Sequence, residues 1–362
     1  MNLETKNSNV DLGWNSFFEQ SFEQYKNQNY VAMRIIRENR GKYIACNETG
    51  EFLCEITGKF RFDNESRNNF PIVGDWVVTS VVPNERKAMI SSVLPRKSMF
   101  SRKVSGEITE EQPIAANIDT VFIITGLDLN YNLRRIERFL SIVVDSGALP
   151  VIFLNKSDLC PEYEKRKSEV EAVAKGVDVH TISAYNQEDL GKLKQYIKTG
   201  ETVAFLGSSG VGKSTIINAL LNKEQLKTNE VSEFGSRGRH TTTFRELIVL
   251  PDGGMVVDTP GMREIQVWGD EKGLEKVFDD IEDLAVNCRF RDCSHKNEPG
   301  CAVLEAVQKG TLDKKRYESY LKLQKEYEYL EARQTMKANA VEKIRWKTIT
   351  KSAKQLKKNR SY

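Results

Sequence analysis

One eight-residue segment constrains the fold of this chain more than any other. Gly207–Ser214 has the sequence GSSGVGKS, which fits the pattern G-x4-G-K-[ST], and it lies between the apolar run ETVAFL and the helical run STIINALL. The pattern requires a strand, a glycine-rich turn and the start of a helix, because backbone N–H groups of the turn wrap phosphates and the helix N-terminus adds a favourable dipole. With these flanks, a chance glycine-rich turn is the minor alternative.

The runs around this segment predict an α/β domain, and the runs before it predict a barrel. TVFIIT, LPVIFLN, VAFLG and GGMVVDT alternate with helical patterns, which indicates a mainly parallel sheet covered on both faces. Between about Val31 and Leu94, five short β-like runs are separated by Gly, Asn, Asp and Pro. Five such strands predict a small barrel. It is either an OB-fold with an oligonucleotide-binding face or a barrel without a nucleic-acid role.

Two further segments have distinctive side chains. Residues 1–30 are polar, with aromatics that fall on one stripe of a helix, and we expect this stripe to pack on the chain's own body rather than on a partner. The aromatics are Trp14, Phe17, Phe18, Phe22 and Tyr25. The stretch Pro95–Pro113 is predicted to be a basic linker. Its cations are Arg96, Lys97, Arg102 and Lys103.

Charge is unevenly distributed along the chain. From Arg333 onwards there are ten Lys or Arg residues and one acid, Glu342, a local charge of +9 that leaves −6 for the preceding 332 residues of a chain whose net charge is +3. Such a tail suits a polyanionic partner, and a solvated, disordered terminus is an equal alternative. Neither a bilayer-spanning run nor a secretory signal is evident, so we expect a cytoplasmic protein without a membrane partner.

A second motif indicates which base accompanies the phosphates. Asn155-Lys156-Ser157-Asp158 ends the run LPVIFL, at the edge where open α/β sheets bind ligands. The Asp158 carboxylate can accept hydrogen bonds from N1–H and the exocyclic amine of guanine, a donor pair that adenine lacks. Ser183-Ala184 matches the small loop that backs the guanine. The predicted GTP-binding residues are Asn155, Lys156, Ser157, Asp158, Ser183, Ala184, Gly207, Ser208, Ser209, Gly210, Val211, Gly212, Lys213, Ser214 and Thr215.

Three positions are predicted to bind Mg²⁺ with the nucleotide. Ser214 is expected to ligate the ion while Lys213 reaches the β- and γ-phosphates. Asp258 begins the tetrapeptide DTPG after the apolar run GGMVV and is expected to hold the Mg²⁺ shell. The segment 238–244, GRHTTTF, is the place for a switch threonine. The three consecutive threonines Thr241, Thr242 and Thr243 leave the assignment open; Thr242 is preferred over Thr243, and plain loop threonines are the alternative.

The catalytic group is less well defined. In Ras-type enzymes a glutamine after DxxG orients the attacking water, whereas this chain has Met262, so intrinsic hydrolysis is expected to be slow. Gly261 can offer its N–H to the γ-phosphate. His240 is suited to positioning water near neutral pH, and a structural or RNA-facing role is the alternative. The catalytic candidates are His240, Thr242, Gly261 and Lys213.

The chain also contains a candidate metal cluster with the spacing C-x4-C-x-H-x5-C. Its members are Cys288, Cys293, His295 and Cys301. Three thiolates and one imidazole form a closed tetrahedral set suited to one structural Zn²⁺. The spacing differs from that of an ordinary C₂H₂ finger, so free cysteines are the alternative on spacing alone. The other cysteines, Cys46, Cys54 and Cys160, are expected to be buried.

The order of the motifs is unusual. NKSD at 155 and SA at 183 precede the phosphate loop at 207, the threonines at 241–243 and DTPG at 258, whereas conventional GTPases begin with the phosphate loop. In this order, and in PIVGDWV, NKSD, GSSGVGKST, GRHTTT, DTPGMRE and the cysteine cluster, the chain resembles the circularly permuted GTPases. The resemblance is specifically to the RsgA (YjeQ) small-subunit ribosome-biogenesis GTPases, over roughly residues 31–330.

This resemblance implies a multidomain fold: an OB-like barrel, an α/β P-loop GTPase domain with permuted motifs, and a small α-helical zinc-binding module. The expected divisions are an N-terminal extension at 1–30, the barrel at 31–97, the GTPase domain at 98–268, the zinc module at 269–332 and a basic tail at 333–362. It also implies a monomeric, ribosome-stimulated enzyme that binds the small ribosomal subunit and its rRNA and hydrolyses GTP to GDP and phosphate during late maturation. The alternatives are a regulatory GTPase with a protein partner and an RNA-binding protein with a structural nucleotide site.

Overall fold

Eleven strands form one hydrogen-bonded sheet that continues from a barrel into an α/β domain. The computed structural model describes residues 8–39, 41–64, 66–104, 110–221, 245–258 and 272–335. Within these ranges, no helix combines the length and apolar character needed to cross a bilayer.

A short N-terminal helix packs on the barrel. Helix α1 (Ser16–Phe22) begins where the Asn15 side chain accepts a hydrogen bond from the Phe17 backbone N–H. The rings of Trp14 and Phe18 pack on Trp76, with centroids 4.7 Å and 6.0 Å from its ring, and Trp76 is fully buried. The expected packing of the aromatic stripe on the chain's own body is therefore confirmed.

The barrel consists of five strands connected as in an OB-fold. The strands are β1 (Val31–Asn39), β2 (Lys42–Asn47), β3 (Gly50–Ile56), β4 (Trp76–Val81) and β5 (Lys87–Val93), with helix α2 (Gly58–Asp63) between β3 and β4. Their order is β1-β2-β3-β5-β4, and pairing of β4 with β1 closes the barrel. Inward-facing apolar side chains alternate along the strands and form its core, which includes Met33, Ile35, Tyr43, Phe52, Val77 and Ile90.

The expected basic linker at Pro95–Pro113 is wrong. The chain here forms an antiparallel pair of strands, β6 (Met99–Val104) and β7 (Glu110–Ala116). Arg96 is not a solvent-facing cation, since its guanidinium makes two hydrogen bonds of 2.8 Å to the buried Asp75 carboxylate. Burial raises the pKa of Asp75, and the Arg96 charge opposes that effect. The cation therefore compensates a buried acid of the barrel.

The α/β domain has a mainly parallel sheet with helices on both faces. Its strands are β8 (Thr120–Gly126), β9 (Leu149–Asn155), β10 (Val179–Thr181), β11 (Thr202–Leu206), β12 (Arg245–Val249) and β13 (Met255–Asp258). Its helices are α3 (Leu133–Ser146), α4 (Tyr163–Val173), α5 (Gln187–Lys194) and α6 (Lys213–Leu220). The order is β10-β9-β8-β11-β13-β12, and only β12 runs antiparallel to its neighbour within this series. The carboxyl ends of β8, β9 and β11 consequently lie at one edge.

The barrel and the α/β domain are joined through strands β1 and β12. These strands pair antiparallel, with Arg37 opposite Glu246 and Glu38 opposite Arg245. Both pairs carry opposite charges, and their closest N–O distances are 2.7 Å and 3.3 Å. Cross-strand ion pairs of this kind stabilise a sheet, so the junction is held by side chains as well as by backbone.

Four helices form the described C-terminal region. They are α7 (Lys272–Val277), α8 (Asp279–Ala285), α9 (Ala302–Lys309) and α10 (Lys314–Thr335). Arg316 of α10 joins this region to α3, because its guanidinium contacts Glu137 at 3.0 Å and Asp280 at 2.6 Å. Glu137 is fully buried, so this contact is shielded from solvent.

Candidate functional site

The predicted phosphate loop connects β11 to α6 at the carboxyl edge of the sheet. Gly207, Gly210 and Gly212 all have positive φ, and Gly212 is the N-cap of α6. A Cβ atom at Gly207 would lie 2.3 Å from the Ile124 carbonyl oxygen, and one at Gly212 would lie 2.2 Å from the Asn155 side-chain nitrogen. Glycine is required at both ends of the loop, because a side chain would collide with the backbone of β8 at Gly207 and with the Asn155 amide at Gly212.

Lys213 lies at the first position of α6, with its side chain directed back along the loop. Its Nζ donates to the carbonyl oxygens of Gly207, at 2.5 Å, and Ser208, at 2.6 Å. The side chain is buried, and Ser214 and Thr215 follow it in the first helical turn. The first backbone N–H groups of a helix have no partners within that helix, so this arrangement offers a cation and several N–H donors to an anion.

Asn155 connects the phosphate loop to the two loops predicted to read the base. Its Nδ2 donates to the Val211 carbonyl oxygen at 2.8 Å, and its Oδ1 accepts from the Ala184 backbone N–H at 3.0 Å. The side chain is only 1% exposed. Asn155 therefore holds three loops together through backbone groups, a positioning contact that the NKSD motif alone does not specify.

The remaining NKSD residues lie at the surface of the same edge. Lys156 has a φ of +66°, and its Nζ donates to the Asp128 carboxylate at 2.6 Å. Partial burial disfavours the Asp128 anion, yet the hydrogen bonds from Lys156 and Asn130 lower the Asp128 pKa. Asp158 lies on a short 3₁₀ helix and is exposed, so its carboxylate is accessible to a ligand. The sequence did not single out Asp128, because it lies 28 positions from its partner.

The Ser183-Ala184 loop is fixed beside the NKSD loop. The Ser183 backbone N–H donates to the Asp189 carboxylate at 2.8 Å, and the Ser157 backbone N–H donates to the Ile182 carbonyl oxygen at 3.1 Å. The structure thus brings the predicted base-reading loops and the phosphate loop to one edge, in agreement with the expectation from strand position.

Other predicted residues are only partly covered by the structure. The candidates His240, Thr242 and Gly261 lie outside the described residues, as does Met262. Asp258 is the last residue of β13, and its backbone pairs with Glu246 of β12. Its place at the carboxyl end of a strand that pairs with β11 puts it at the same sheet edge as the phosphate loop.

The four predicted metal ligands converge. The ligand atoms of Cys288, Cys293, His295 and Cys301 all lie within 4.8 Å of one another. The Sγ atoms of Cys288 and Cys301 lie 3.8 Å apart, and they lie 3.6 Å and 3.4 Å from His295 Nδ1. A tetrahedral ion with metal–sulfur bonds of about 2.3 Å separates two thiolates by about 3.8 Å, so this spacing fits a metal centre.

The surroundings of the cluster fix its histidine. His295 has a φ of +57°, and its carbonyl oxygen accepts a hydrogen bond of 2.6 Å from the Tyr317 hydroxyl on α10. The cluster is thereby connected to the long C-terminal helix. By contrast, the remaining cysteines are buried within the barrel and the α/β domain, as expected. Burial raises the pKa of the Cys46 thiol to about 12 and that of Cys54 to about 11, so both are protonated and unreactive.

Comparison with known proteins identifies a family. The family model described as RsgA GTPase matches residues 93–268. A small ribosomal subunit biogenesis GTPase RsgA from Opitutus terrae is 42% identical over 347 residues, covering 93% of this chain and 95% of that protein. The protein of the same name from Syntrophotalea carbinolica is 41% identical, with 95% of this chain and 96% of that protein covered.

Solved structures lead to the same family. The crystal structure of YjeQ from Thermotoga maritima matches with a TM-score of 0.61 at 28% identity, covering 82% of this chain and 98% of that chain. YloQ, described as a circularly permuted GTPase, matches with a TM-score of 0.58 at 26% identity, covering 84% of this chain and 97% of that chain. With identities above 40% over more than nine-tenths of its length, this chain belongs to the RsgA family of GTPases.

Proposed function

We propose that this chain binds the small ribosomal subunit and hydrolyses GTP to GDP and phosphate during late maturation of that subunit. The observation that carries the proposal is the Asn155 bridge, which joins a phosphate loop to the two base-reading loops at one sheet edge. The curated relatives are named small ribosomal subunit biogenesis GTPases, which supports the same assignment.

Guanine recognition rests on Asp158. Its exposed carboxylate accepts the N1–H and exocyclic amine of guanine, while the Ser183-Ala184 loop backs the ring. Lys156 is held by Asp128, so its aliphatic stem is placed beside the base rather than free to rotate. These contacts select GTP over ATP because adenine has no matching pair of donors.

Phosphate binding rests on the loop and on α6. Lys213 leaves the carbonyl oxygens of Gly207 and Ser208 and binds the β- and γ-phosphates, while loop N–H groups hold the α- and β-phosphates. Ser214, Thr242 and Asp258 would hold Mg²⁺, which would neutralise phosphate charge when bound. These donors are hydroxyl and carboxylate oxygens, the ligand types that Mg²⁺ prefers.

Hydrolysis by the isolated chain is slow in this proposal. Met262 occupies the position at which Ras-type enzymes carry glutamine, so the water-orienting group comes from elsewhere. His240, Gly261 and Thr242 are the candidates within the chain, and the docked ribosomal subunit completes or stabilises their arrangement. Because the chain and the docked subunit both contribute to the catalytic arrangement, the rate of GTP hydrolysis depends on the subunit.

The cysteine cluster is proposed to hold one structural Zn²⁺. Three thiolates and one imidazole leave no open coordination position, which is typical of a structural rather than a catalytic zinc site. The C-terminal module, together with the +9 tail from Arg333 onwards, then supplies a basic surface for rRNA. We propose that the protein acts in the cytoplasm as a monomer.

The experiment that tests the proposal is a steady-state hydrolysis assay with GTP and ATP. It compares the chain alone, with purified small subunits and with large subunits, and Lys213→Ala serves as the inactive control. We expect slow GTP turnover, stimulation of at least about tenfold by small subunits only, and no ATP turnover. Equal rates with and without small subunits would instead favour a regulatory GTPase with a protein partner.

A further inference from the structure

Three arginines lie within the first two turns of α3, and they differ in their partners. Arg134 pairs with Asp313 at 2.9 Å, and Arg138 pairs with Glu326 at 2.5 Å. Arg138 therefore connects α3 to α10, and Arg134 connects α3 to the residue that precedes α10. Arg135 lies between them in sequence, yet it makes no ion pair with any carboxylate in the part of the chain that the structure describes.

Arg135 is instead directed at the phosphate loop. Its Nη1 donates to the Ser208 hydroxyl at 3.1 Å and lies 3.4 Å from the Asn130 carbonyl oxygen. The residue is half-buried, and its position is fixed by the helix start, where the Asn132 side chain accepts from the Arg135 backbone N–H at 3.0 Å. A guanidinium keeps its charge over the physiological pH range, and hydrogen bonds from it are roughly twice as strong as neutral ones.

Ser208 is a shared point of contact for two cations. Its hydroxyl accepts from Arg135, and its carbonyl oxygen accepts from Lys213 Nζ at 2.6 Å. The far half of the same loop is held separately, since Asn155 fixes the Val211 carbonyl oxygen. The loop is thus held at two points, by β9 at Val211 and by α3 at Ser208.

We propose that Arg135 is a positioning residue for GTP hydrolysis, which holds the first half of the phosphate loop through Ser208. The inference rests on the proposed GTPase function and adds a residue to it. The Lys213 ammonium must move from the Ser208 carbonyl oxygen to the phosphates when the nucleotide binds. The position of the Ser208 peptide therefore affects where this ammonium lies before and after the movement. Small misplacements of reacting groups reduce rates strongly, whereas nucleotide affinity is shared among many loop contacts.

The test uses the full chain and compares Arg135→Gln, Arg135→Lys, Ser208→Ala and the double variant Arg135→Gln/Ser208→Ala. Arg138→Gln is the matched control, since it removes one cation from the same helix without touching the loop. Single-turnover GTP hydrolysis and affinity for a fluorescent GDP are both measured. We expect Arg135→Gln and Ser208→Ala each to reduce the hydrolysis rate about tenfold, equal to about 1.4 kcal/mol, with GDP affinity changed by less than about threefold.

The remaining variants test whether Arg135 acts through Ser208. The double variant should be no slower than either single variant, because both remove one interaction. Lysine can also donate to Ser208, so Arg135→Lys should remain within about threefold of the wild-type rate, and Arg138→Gln within about twofold. A wild-type rate in Arg135→Gln, multiplicative losses in the double variant, or equal losses in rate and GDP affinity would each overturn the proposal.

The test still applies if one variant does not fold, and it distinguishes failure of this proposal from failure of the proposed GTPase function. If Arg135→Gln does not fold, as judged from its thermal unfolding midpoint, Ser208→Ala carries the test, and a wild-type rate in that variant overturns the proposal. Failure of the proposed function gives a different result, because the wild-type chain would then hydrolyse no GTP or would hydrolyse ATP equally well.

Discussion

Replacing Asn155 with alanine tests whether the joined loops form the nucleotide site. The substitution removes hydrogen bonds of 2.8 Å and 3.0 Å and leaves the Val211 carbonyl and the Ala184 N–H without their partner at a buried position. Each buried group left unsatisfied costs about 1–3 kcal/mol. Because the loops lie at the sheet edge, they can move apart to reach water, so we take the low end, about 2 kcal/mol in total.

Nucleotide binding must restore the separated loops, so this cost appears in affinity. A loss of about 2 kcal/mol corresponds to an increase of about 30-fold in the dissociation constant for GDP. Titration with a fluorescent GDP measures it, and chemical denaturation measures stability alongside. Asn15→Ala is the matched control, since it removes the side-chain cap of α1 far from the loops and should cost about 1 kcal/mol of stability with no change in affinity. Unchanged GDP affinity in Asn155→Ala would refute the reasoning.

Four other predictions concern recognition of the base, binding of the phosphates, the metal, and binding to the small subunit. Asp158→Asn should weaken GTP binding and shift preference toward xanthosine nucleotides, whose C2 carbonyl accepts from an amide, and competition binding with both nucleotides checks this. Lys213→Ala should abolish hydrolysis while thermal unfolding stays near wild type, because the residue serves the ligand; wild-type turnover would contradict the phosphate-loop assignment. Metal analysis should find one Zn²⁺ per chain, and chelation should loosen the C-terminal module in hydrogen exchange; less than about half an equivalent would count against the cluster. GTP analogues should give a higher affinity for small subunits than GDP does, and deletion of residues 333–362 should lower this affinity and flatten its salt dependence; equal affinity in both nucleotide states would contradict control of subunit binding by the nucleotide.

The sequence predicted those parts of the site that are contiguous. The phosphate loop, NKSD and the cysteine cluster each occupy a short segment, and each requires one local geometry, so the pattern alone located them. The barrel followed similarly from five apolar runs separated by turn residues. Side chains that act through distant partners could not be located in this way. Arg135 meets Ser208 across 73 positions, and Lys156 meets Asp128 across 28.

The wrong prediction for Pro95–Pro113 has the same physical origin. Its cations suggested a solvated linker because charge is usually exposed. Arg96 differs from this expectation, because its guanidinium hydrogen-bonds to the buried Asp75 carboxylate, 21 positions earlier. The stretch also forms a strand pair that extends into the residues after it, since Met99 lies opposite Ala116 and Phe100 lies opposite the buried Ala115. A local excess of charge therefore did not reveal that one of these cations, Arg96, pairs with a buried carboxylate of the barrel.

The permuted order gives α3 a central position between the phosphate site and the C-terminal module. The chain passes from Asp258 at the sheet edge to Lys272 at the start of α7 in 13 intervening residues, and α7 packs on α3, where the Gly273 N–H donates to Asp145 at 2.6 Å. The first turn of α3 directs Arg135 to the phosphate loop, and the helix is ion-paired to α10. The phosphate site is therefore connected to the C-terminal module in two ways, through the continuous chain and through side-chain contacts. Both connections involve α3. We therefore expect a shift of α3 to move the phosphate loop and the module together, and so to couple nucleotide state to the proposed subunit docking, as linkage between two sites requires.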